Sequence, residues 1–138
     1  MTRHYTYRHV VTFDETNVVG NVYFAHYLHW QGHCRELFLA ERAPGVLLAV
    51  RTGELALVTV SCHMDFHAEC FAFDVVDVEM SLRGSSGNRI EMDFVYRRGH
   101  DHVATGGQVV ACMNPTVGRP QPTRIPAELA DALAVYAD

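Results

Sequence analysis

Asn17 and Arg35 are the two residues whose types and setting point to chemistry. A helix starting near Asn21 puts Phe24, Leu28, Gln31, Gly32, Arg35, Phe38 and Leu39 on one side at 100° per residue. That side is mostly apolar and is expected to face the core. A guanidinium in its middle is costly unless it is paired or used. Asn17 lies eighteen residues earlier, in a short loop three residues ahead of Gly20. A loop amide and a core-facing cation are therefore expected to converge at the start of a buried helix. The purely structural alternatives stay open. Arg35 can be an ion-paired residue, with Glu36 or with a carboxylate of a second chain. Asn17 can close an Asx-turn or cap the helix, as loop asparagines usually do.

These residues need elements to hold them. Tyr5 to Phe13 reads as a first strand, rich in β-branched and aromatic residues. Asp14 to Gly20 is a turn-rich connection, and Asn21 to Arg42 carries the 3.6-residue apolar period until Pro44-Gly45 stops it. Val46 to Arg51 is a short apolar segment with room for a helical turn. The period then changes to two. Leu55 to Phe66, Phe71 to Arg83, Asn88 to Arg97 and His102 to Met113 read as four strands. Ser85-Ser86-Gly87 and Gly99-His100-Asp101 are tight hairpin connections. Ile90, Met92, Phe94 and Tyr96 alternate with Glu91, Asp93, Val95 and Arg97, the half-buried pattern of an antiparallel sheet. Pro115 to Pro126 is a proline-bearing linker, and Ile125 to Ala137 a short peripheral helix. One broad-faced helix followed by a meander implies an α+β fold with the sheet curled around the helix. Such a sheet leaves an edge and a face uncovered, and dimerisation covers both.

Composition bounds the function. The 138 residues read as one domain, with apolar residues at 49%, too many for a disordered chain. A formal net charge of −5 argues against nucleic acid, whose binders need a basic surface. No apolar run is long enough to span a membrane. The start Met1-Thr2-Arg3-His4-Tyr5 has no signal-peptide core, so a cytoplasmic location is expected. The four cysteines (Cys34, Cys62, Cys70, Cys112) lack paired spacing and read as small buried hydrophobes. His26, His29 and His33 recur at a spacing that can hold zinc on a helix. They lie opposite Arg35, however, and read with His63 and His67 as a solvent or subunit-interface face, so no metal is expected. No nucleophile elbow, dinucleotide fingerprint or phosphate loop is present, and nothing implies a cofactor. Cys34 has no activating base nearby in sequence.

The run Phe13-Asp-Glu-Thr-Asn17-Val-Val-Gly20-Asn-Val-Tyr23-Phe24-Ala-His-Tyr27-Leu-His-Trp30 resembles the signature of hotdog-fold acyl thioesterases of the 4-hydroxybenzoyl-CoA type. Phe66-His67-Ala68-Glu69 through Asp74-Val75 resembles that family's segment between its second and third strands. The resemblance covers about residues 5 to 113, leaving 114 to 138 as linker and terminal helix. It implies a hotdog fold, a curved antiparallel sheet wrapped around one long central helix. The family's catalytic carboxylate falls at Asn17, and an amide cannot act as general base or carboxylate nucleophile. That departure, with Trp30-Gln31-Gly32-His33-Cys34-Arg35-Glu36-Leu37-Phe38-Leu39, is similar to the narrower group of enediyne polyketide thioesterases, the dynemicin and calicheamicin type. There the asparagine and the helix arginine are the implicated pair.

The resemblance implies a polyene acyl substrate held on the acyl carrier protein domain of an iterative polyketide synthase. It also implies a homo-oligomer, at least a dimer and expected as a dimer of dimers. Hydrolysis proceeds through an oxyanion, which a first-turn N–H, that of Phe24, is placed to meet. Asn17 would position the carbonyl or the water. Arg35 would hold a β-oxygen and stabilise the enolate of a decarboxylation. Leu28 and Gln31 would line the acyl tunnel, with Thr59 as a further candidate. Tyr27 is equally readable as a tunnel wall or a core tyrosine. Two other readings stand beside this one: a general acyl-CoA thioesterase, and a non-catalytic acyl-binding hotdog module.

Overall fold

The computed structural model describes residues 3–115 and 118–137. Met1, Thr2 and Asp138, and Thr116 and Val117 of the expected linker, lie outside the described residues. The elements are β1 (Tyr5–Val10), α1 (Ala25–Arg42), α2 (Pro44–Arg51), β2 (Ala56–Phe66), β3 (Val75–Ser86), β4 (Arg89–Arg98), β5 (Asp101–Asn114), β6 (Gln121–Pro122) and α3 (Ala127–Ala134). One antiparallel sheet in the order β1-β3-β4-β5-β2, with β6 added to β5, curls around α1. The hotdog architecture expected from the sequence is therefore present.

The strands form only in part as a meander. β3, β4 and β5 follow one another through the two-residue turns Gly87-Asn88 and Gly99-His100, whose glycines both take φ +62°. That left-handed value is open to glycine at little cost and suits the twist of a hairpin. β2 pairs with β5 and not with β3, so the chain crosses from one side of the sheet to the other through residues 67–74. Both edges, β1 and β2, are left at the rim. In β4 the alternation is as read: Ile90, Met92, Phe94 and Tyr96 are all buried.

Two boundaries differ for a common reason. β1 stops at Val10, three residues early, and α1 begins at Ala25, four residues late. Between them the backbone is committed to the crossover segment. Val11 N–H donates to Asp74 O at 2.9 Å, Phe73 N–H to Val11 O at 2.7 Å and Val22 N–H to Cys70 O at 2.8 Å. Asn21 bridges Phe71 and Thr16 bridges Val22. Residues with those bonds cannot also enter a helix.

The buried face of α1 is rotated from the expected one. Tyr27, Trp30, Gln31, Cys34, Phe38 and Leu39 are buried, whereas Phe24 is exposed and Leu28, Gly32 and Arg35 are half-buried. Arg35 is turned roughly 80° from Tyr27, so it occupies the flank of the core face rather than its middle. The C-terminal helix is not peripheral. Leu129, Leu133 and Tyr136 are buried, and Tyr136 meets the rings of Tyr5 and Phe38 edge-on at 6.1 and 6.0 Å. Three cysteines are buried as read, but Cys62 is exposed on β2.

Candidate functional site

The residues singled out in the sequence fall into two neighbourhoods. The first is the loop between β1 and α1. After a single 3-10 turn at Phe13–Glu15, Asn17 N–H donates to Asn21 O at 2.9 Å and Gly20 N–H to Asn17 O at 2.9 Å. Gly20 takes φ +96°, which closes this turn. Asn17 is exposed, and its Oδ1 accepts Val19 N–H at 3.2 Å, an Asx-turn. The Asx-turn alternative is thus realised. It consumes the amide oxygen and fixes the orientation of the NH2 group, which is a pure donor. The helix ladder starts just beyond, with His26 N–H on Tyr23 O at 3.0 Å and Tyr27 N–H on Phe24 O at 3.3 Å. The N–H of Phe24 therefore precedes the ladder, at the positive end of the helix dipole.

The second neighbourhood is the flank of α1 against β2 and β5. Arg35 Nη1 donates to Thr59 Oγ1 at 3.0 Å and to Gln108 Oε1 at 3.2 Å. Both partners are neutral. Among the described residues no carboxylate forms an ion pair with Arg35, so pairing with Glu36 is not what holds it. Burial lowers the pKa of the guanidinium, and Glu36 on the next residue opposes that shift. Thr59 sits where the β2–β5 register slips between Thr59 and Ser61. Such a bulge re-aims side chains at a strand edge. Arg35 stands over a small apolar cavity of about 20 Å3 whose other walls include Phe38, Leu57, Met92, Val110 and Leu133. On its other side it borders an open groove of about 530 Å3 between α1 and α2.

The two neighbourhoods are not joined within one chain. Arg35 lies ten residues into α1 from Ala25, roughly 15 Å along the axis. Thr59 lies seven residues before Phe66, roughly 23 Å along β2. Phe66 is the end of that strand which packs on Tyr27, with ring centres 5.1 Å apart. The convergence of Asn17 and Arg35 expected from the sequence therefore does not occur inside a protomer.

The other candidates divide as follows. Gln31 is fully buried, with Nε2 on His63 O at 3.3 Å and on Met64 Sδ at 2.9 Å. Its Oε1 is buried without a hydrogen bond among the described residues. Gly106 lies directly beneath it, where a Cβ would collide with the amide. Tyr27 is a core residue, against Trp30 at 4.8 Å and Tyr96 at 5.8 Å, and its carbonyl accepts the Tyr96 hydroxyl at 2.7 Å. Leu28 is half-buried. Burial pushes the Cys34 thiol up to about 12, which leaves it inert as a nucleophile. His26 and His29 are 3.4 Å apart through Nδ1, but His33 turns away to the Tyr7 hydroxyl.

Three residues were missed in the sequence. Gln108 is a buried polar residue on β5, and nothing in an alternating strand marks it. Buried Glu15 and half-buried His9 form a pair, Nε2 to Oε1 at 2.8 Å, beneath the Asn17 loop. The spacing Thr12-x-x-Glu15 was a usable capping signal, since Glu15 Oε1 accepts Thr12 N–H at 3.0 Å.

The comparisons with known proteins agree on one chemistry. The family model described as the thioesterase-like superfamily matches residues 11–133. A 1,4-dihydroxy-2-naphthoyl-CoA hydrolase of Synechococcus elongatus is 25% identical over 139 residues, covering 97% of this chain and 98% of the relative. Among solved structures, the dynemicin thioesterase, described with induced-fit and allosteric effects upon polyene binding, is 57% identical, with a TM-score of 0.94 and 98% of each chain covered. A 1,4-dihydroxy-2-naphthoyl-CoA thioesterase from Synechocystis shares the fold at 20% identity and a TM-score of 0.86, covering 95% of this chain and 96% of that one.

Proposed function

The chain belongs to the thioesterase-like superfamily and is an acyl-thioester hydrolase; from that premise we propose that it releases a polyene β-keto or β-hydroxy acyl chain from the acyl carrier protein domain of an iterative enediyne polyketide synthase. The observation that carries this reading is Arg35. It is a half-buried cation that, among the described residues, bonds only to neutral Thr59 and Gln108, and it borders the mostly apolar groove of about 530 Å3 beside α1. A site of that kind suits an oxygen-bearing head followed by an unbranched hydrocarbon tail. The similarity to the dynemicin thioesterase supports the same substrate class.

Hydrolysis adds water across the C–S bond and yields an acid and the carrier thiol. Asn17 Nδ2 and the Phe24 N–H are the donors for the developing oxyanion, and water supplies the nucleophile. Arg35 holds the β-oxygen and stabilises the enolate formed when a β-keto acid loses CO2. Leu28, Gln31 and Thr59 border the path of the chain. Tyr27 supports it from within the core.

The carbonyl and the β-oxygen sit on carbons 1 and 3 of the acyl chain, far closer than the separation of Asn17 from Arg35 in one protomer. The pair therefore acts between protomers. β2 is an edge strand exposed along most of its length. Antiparallel pairing of two β2 edges sets the Phe66 end of one beside the Thr59 end of the other. Each composite site then takes its Asn17 loop and its Arg35 from different chains. A dimer of such dimers, in the cytoplasm, is the assembly this reading implies. Among the described residues no helix is long and apolar enough to cross a membrane.

The deciding experiment is mass spectrometry of what the protein releases from the loaded synthase. A polyene acid, or its decarboxylated ketone, supports the reading, and no release from the carrier refutes it. The similarity to a CoA-ester hydrolase favours a second reading, a general acyl-CoA thioesterase. Fast turnover of simple acyl-CoAs with none of the carrier-bound chain would favour it.

A further inference from the structure

The most heavily bonded carboxylate in the described structure lies below the Asn17 loop and takes no part in the chemistry above. Glu15 is 8% exposed. Its Oε2 accepts the indole N–H of Trp30 at 2.7 Å, and its Oε1 accepts Thr12 N–H at 3.0 Å. His9 Nε2 stands 2.8 and 2.9 Å from the two oxygens. Since a carboxylate only accepts, that nitrogen carries the proton. His9 Nδ1 shares a hydrogen bond with the Tyr7 hydroxyl at 2.7 Å. The His9 ring also lies 4.5 Å from that of Trp30. His9 Nε2, Thr12 N–H and Trp30 Nε1 all point toward Glu15.

Three elements are tied by this one group. His9 is on β1, Trp30 on α1, and Glu15 is two residues before Asn17. The Glu15 backbone also reaches the helix start, because its carbonyl accepts Tyr23 N–H at 2.9 Å. The loop that presents Asn17 and Phe24 thus hangs from the Glu15 side chain on one side and its carbonyl on the other. We infer that the ionised Glu15 carboxylate is the positioning residue that sets the Asn17 loop over the first turn of α1. Its consequence for catalysis rests on the proposed role of Asn17; its structural content does not.

The donor set favours the charge. Thr12 N–H and Trp30 Nε1–H have no acceptor capacity, and each claims a different oxygen. A glutamine has the same shape but must turn its NH2 toward one of those two N–H groups. Burial alone would raise the pKa of Glu15, but the bonds from His9, Thr12 N–H and Trp30 outweigh it and the net shift is downward. The acidic form is therefore disfavoured.

The test is Glu15→Gln in the full-length protein, read by amide hydrogen exchange, by kcat and KM, and by the emission of Trp30, the single tryptophan. Exchange at Asn17, Gly20 and Tyr23 is expected to rise about tenfold or more, with core amides of β4 unchanged and Trp30 emission shifted. Unchanged exchange at those three amides overturns the inference, whatever the activity does. On the carrier-bound substrate, kcat should fall about tenfold with KM nearly constant, and Glu15→Gln should cost clearly less once Asn17 is alanine, the remainder acting through the Phe24 N–H. Full additivity of the two changes would also overturn it. If Asn17→Ala alone leaves kcat intact, the assigned role of Asn17 fails and the exchange result alone decides Glu15. A second variant guards against misfolding. Trp30→Phe removes one obligatory donor, so a glutamine at 15 can turn its NH2 that way and donate to His9 Nε2 once His9 takes its other tautomer, with the proton on Nδ1. Glu15→Gln should therefore raise exchange less in the Trp30→Phe background than alone; an equal or larger rise would count against the donor argument.

Discussion

The Asn17 loop and the Arg35 flank are opposites. In the loop, the charged group is partnered within the chain: a buried carboxylate collects donors from β1, α1 and its own turn. On the flank, a cation is lowered into an apolar wall with neutral partners only. The first arrangement is complete in one protomer and holds geometry. The second is electrostatically unfinished and waits for an electron-rich oxygen. Buried charge left without a counter-charge is expensive, and such sites are where function is found more often than structure. Under the proposed mechanism the difference divides the labour of the reaction: one region fixes donors in place, the other supplies field.

The largest effect should come from the unfinished region. Arg35→Ala is expected to lower kcat on the carrier-bound chain by about a hundredfold or more with the melting temperature little changed. Retained activity would remove Arg35 from the mechanism. Mixing Arg35→Ala with Asn17→Ala sharpens the comparison further. If the two residues act across a β2–β2 interface, a mixed dimer regains one intact composite site, and activity reappears on subunit exchange. If they act within one chain, no mixture recovers. Asn17→Ala alone should cost about tenfold to a hundredfold, since it removes one donor while the Phe24 N–H remains. Asn17→Asp replaces that donor by a carboxylate. A gain on simple acyl-CoAs would show that the ordinary acid mechanism is latent in this scaffold.

The completed region should show itself in acid. The folded-state pKa of Glu15 lies below its ordinary value. Its contribution to stability is therefore fully present above the unfolded carboxylate value of about 4.3 and is lost as pH falls through the lower folded value. The protection of the loop amides, taken relative to unstructured exchange at each pH, should fall along that limb as pH is lowered from 6, and Glu15→Gln should flatten the fall. An identical acid limb in both proteins would break the link between the carboxylate and the loop.

What was legible in the sequence follows from range. Ile90 to Tyr96 alternate because one face of β4 is buried, and the pattern needs no knowledge of neighbours. The hairpin glycines at 87 and 99 are equally local. The pairing of β2 with β5 is not local: the strand after residues 67–74 is as apolar as any, and only packing around α1 decides its neighbour. The helix start was misplaced because Asn21 and Val22 spend their backbone groups on the crossover segment, a contact some fifty residues away. Asn17 and Arg35 stood out by type, one by departing from a family pattern and the other by sitting on an apolar face. Gln108 and His9 carried no such mark. Their roles arise from which strands lie beside α1, and a strand's own pattern does not record that.

The smallest predicted effect is also the most informative about the assembly. Thr59→Val keeps the shape of the side chain and removes one of the two acceptors of Arg35. In a lone protomer Thr59 is exposed, so water takes the place of the hydroxyl and kcat should change by roughly threefold at most. Gln108→Leu should cost more, because Gln108 is buried and its loss strands the guanidinium away from water. Should Thr59→Val instead match Gln108→Leu, water cannot reach Thr59 in the working enzyme. The residue would then be covered by a second β2 edge, and the contrast between a complete region and an open one would hold only for the isolated chain. Parallel kcat measurements on the two variants, with the oligomeric state of each fixed by light scattering, separate these cases.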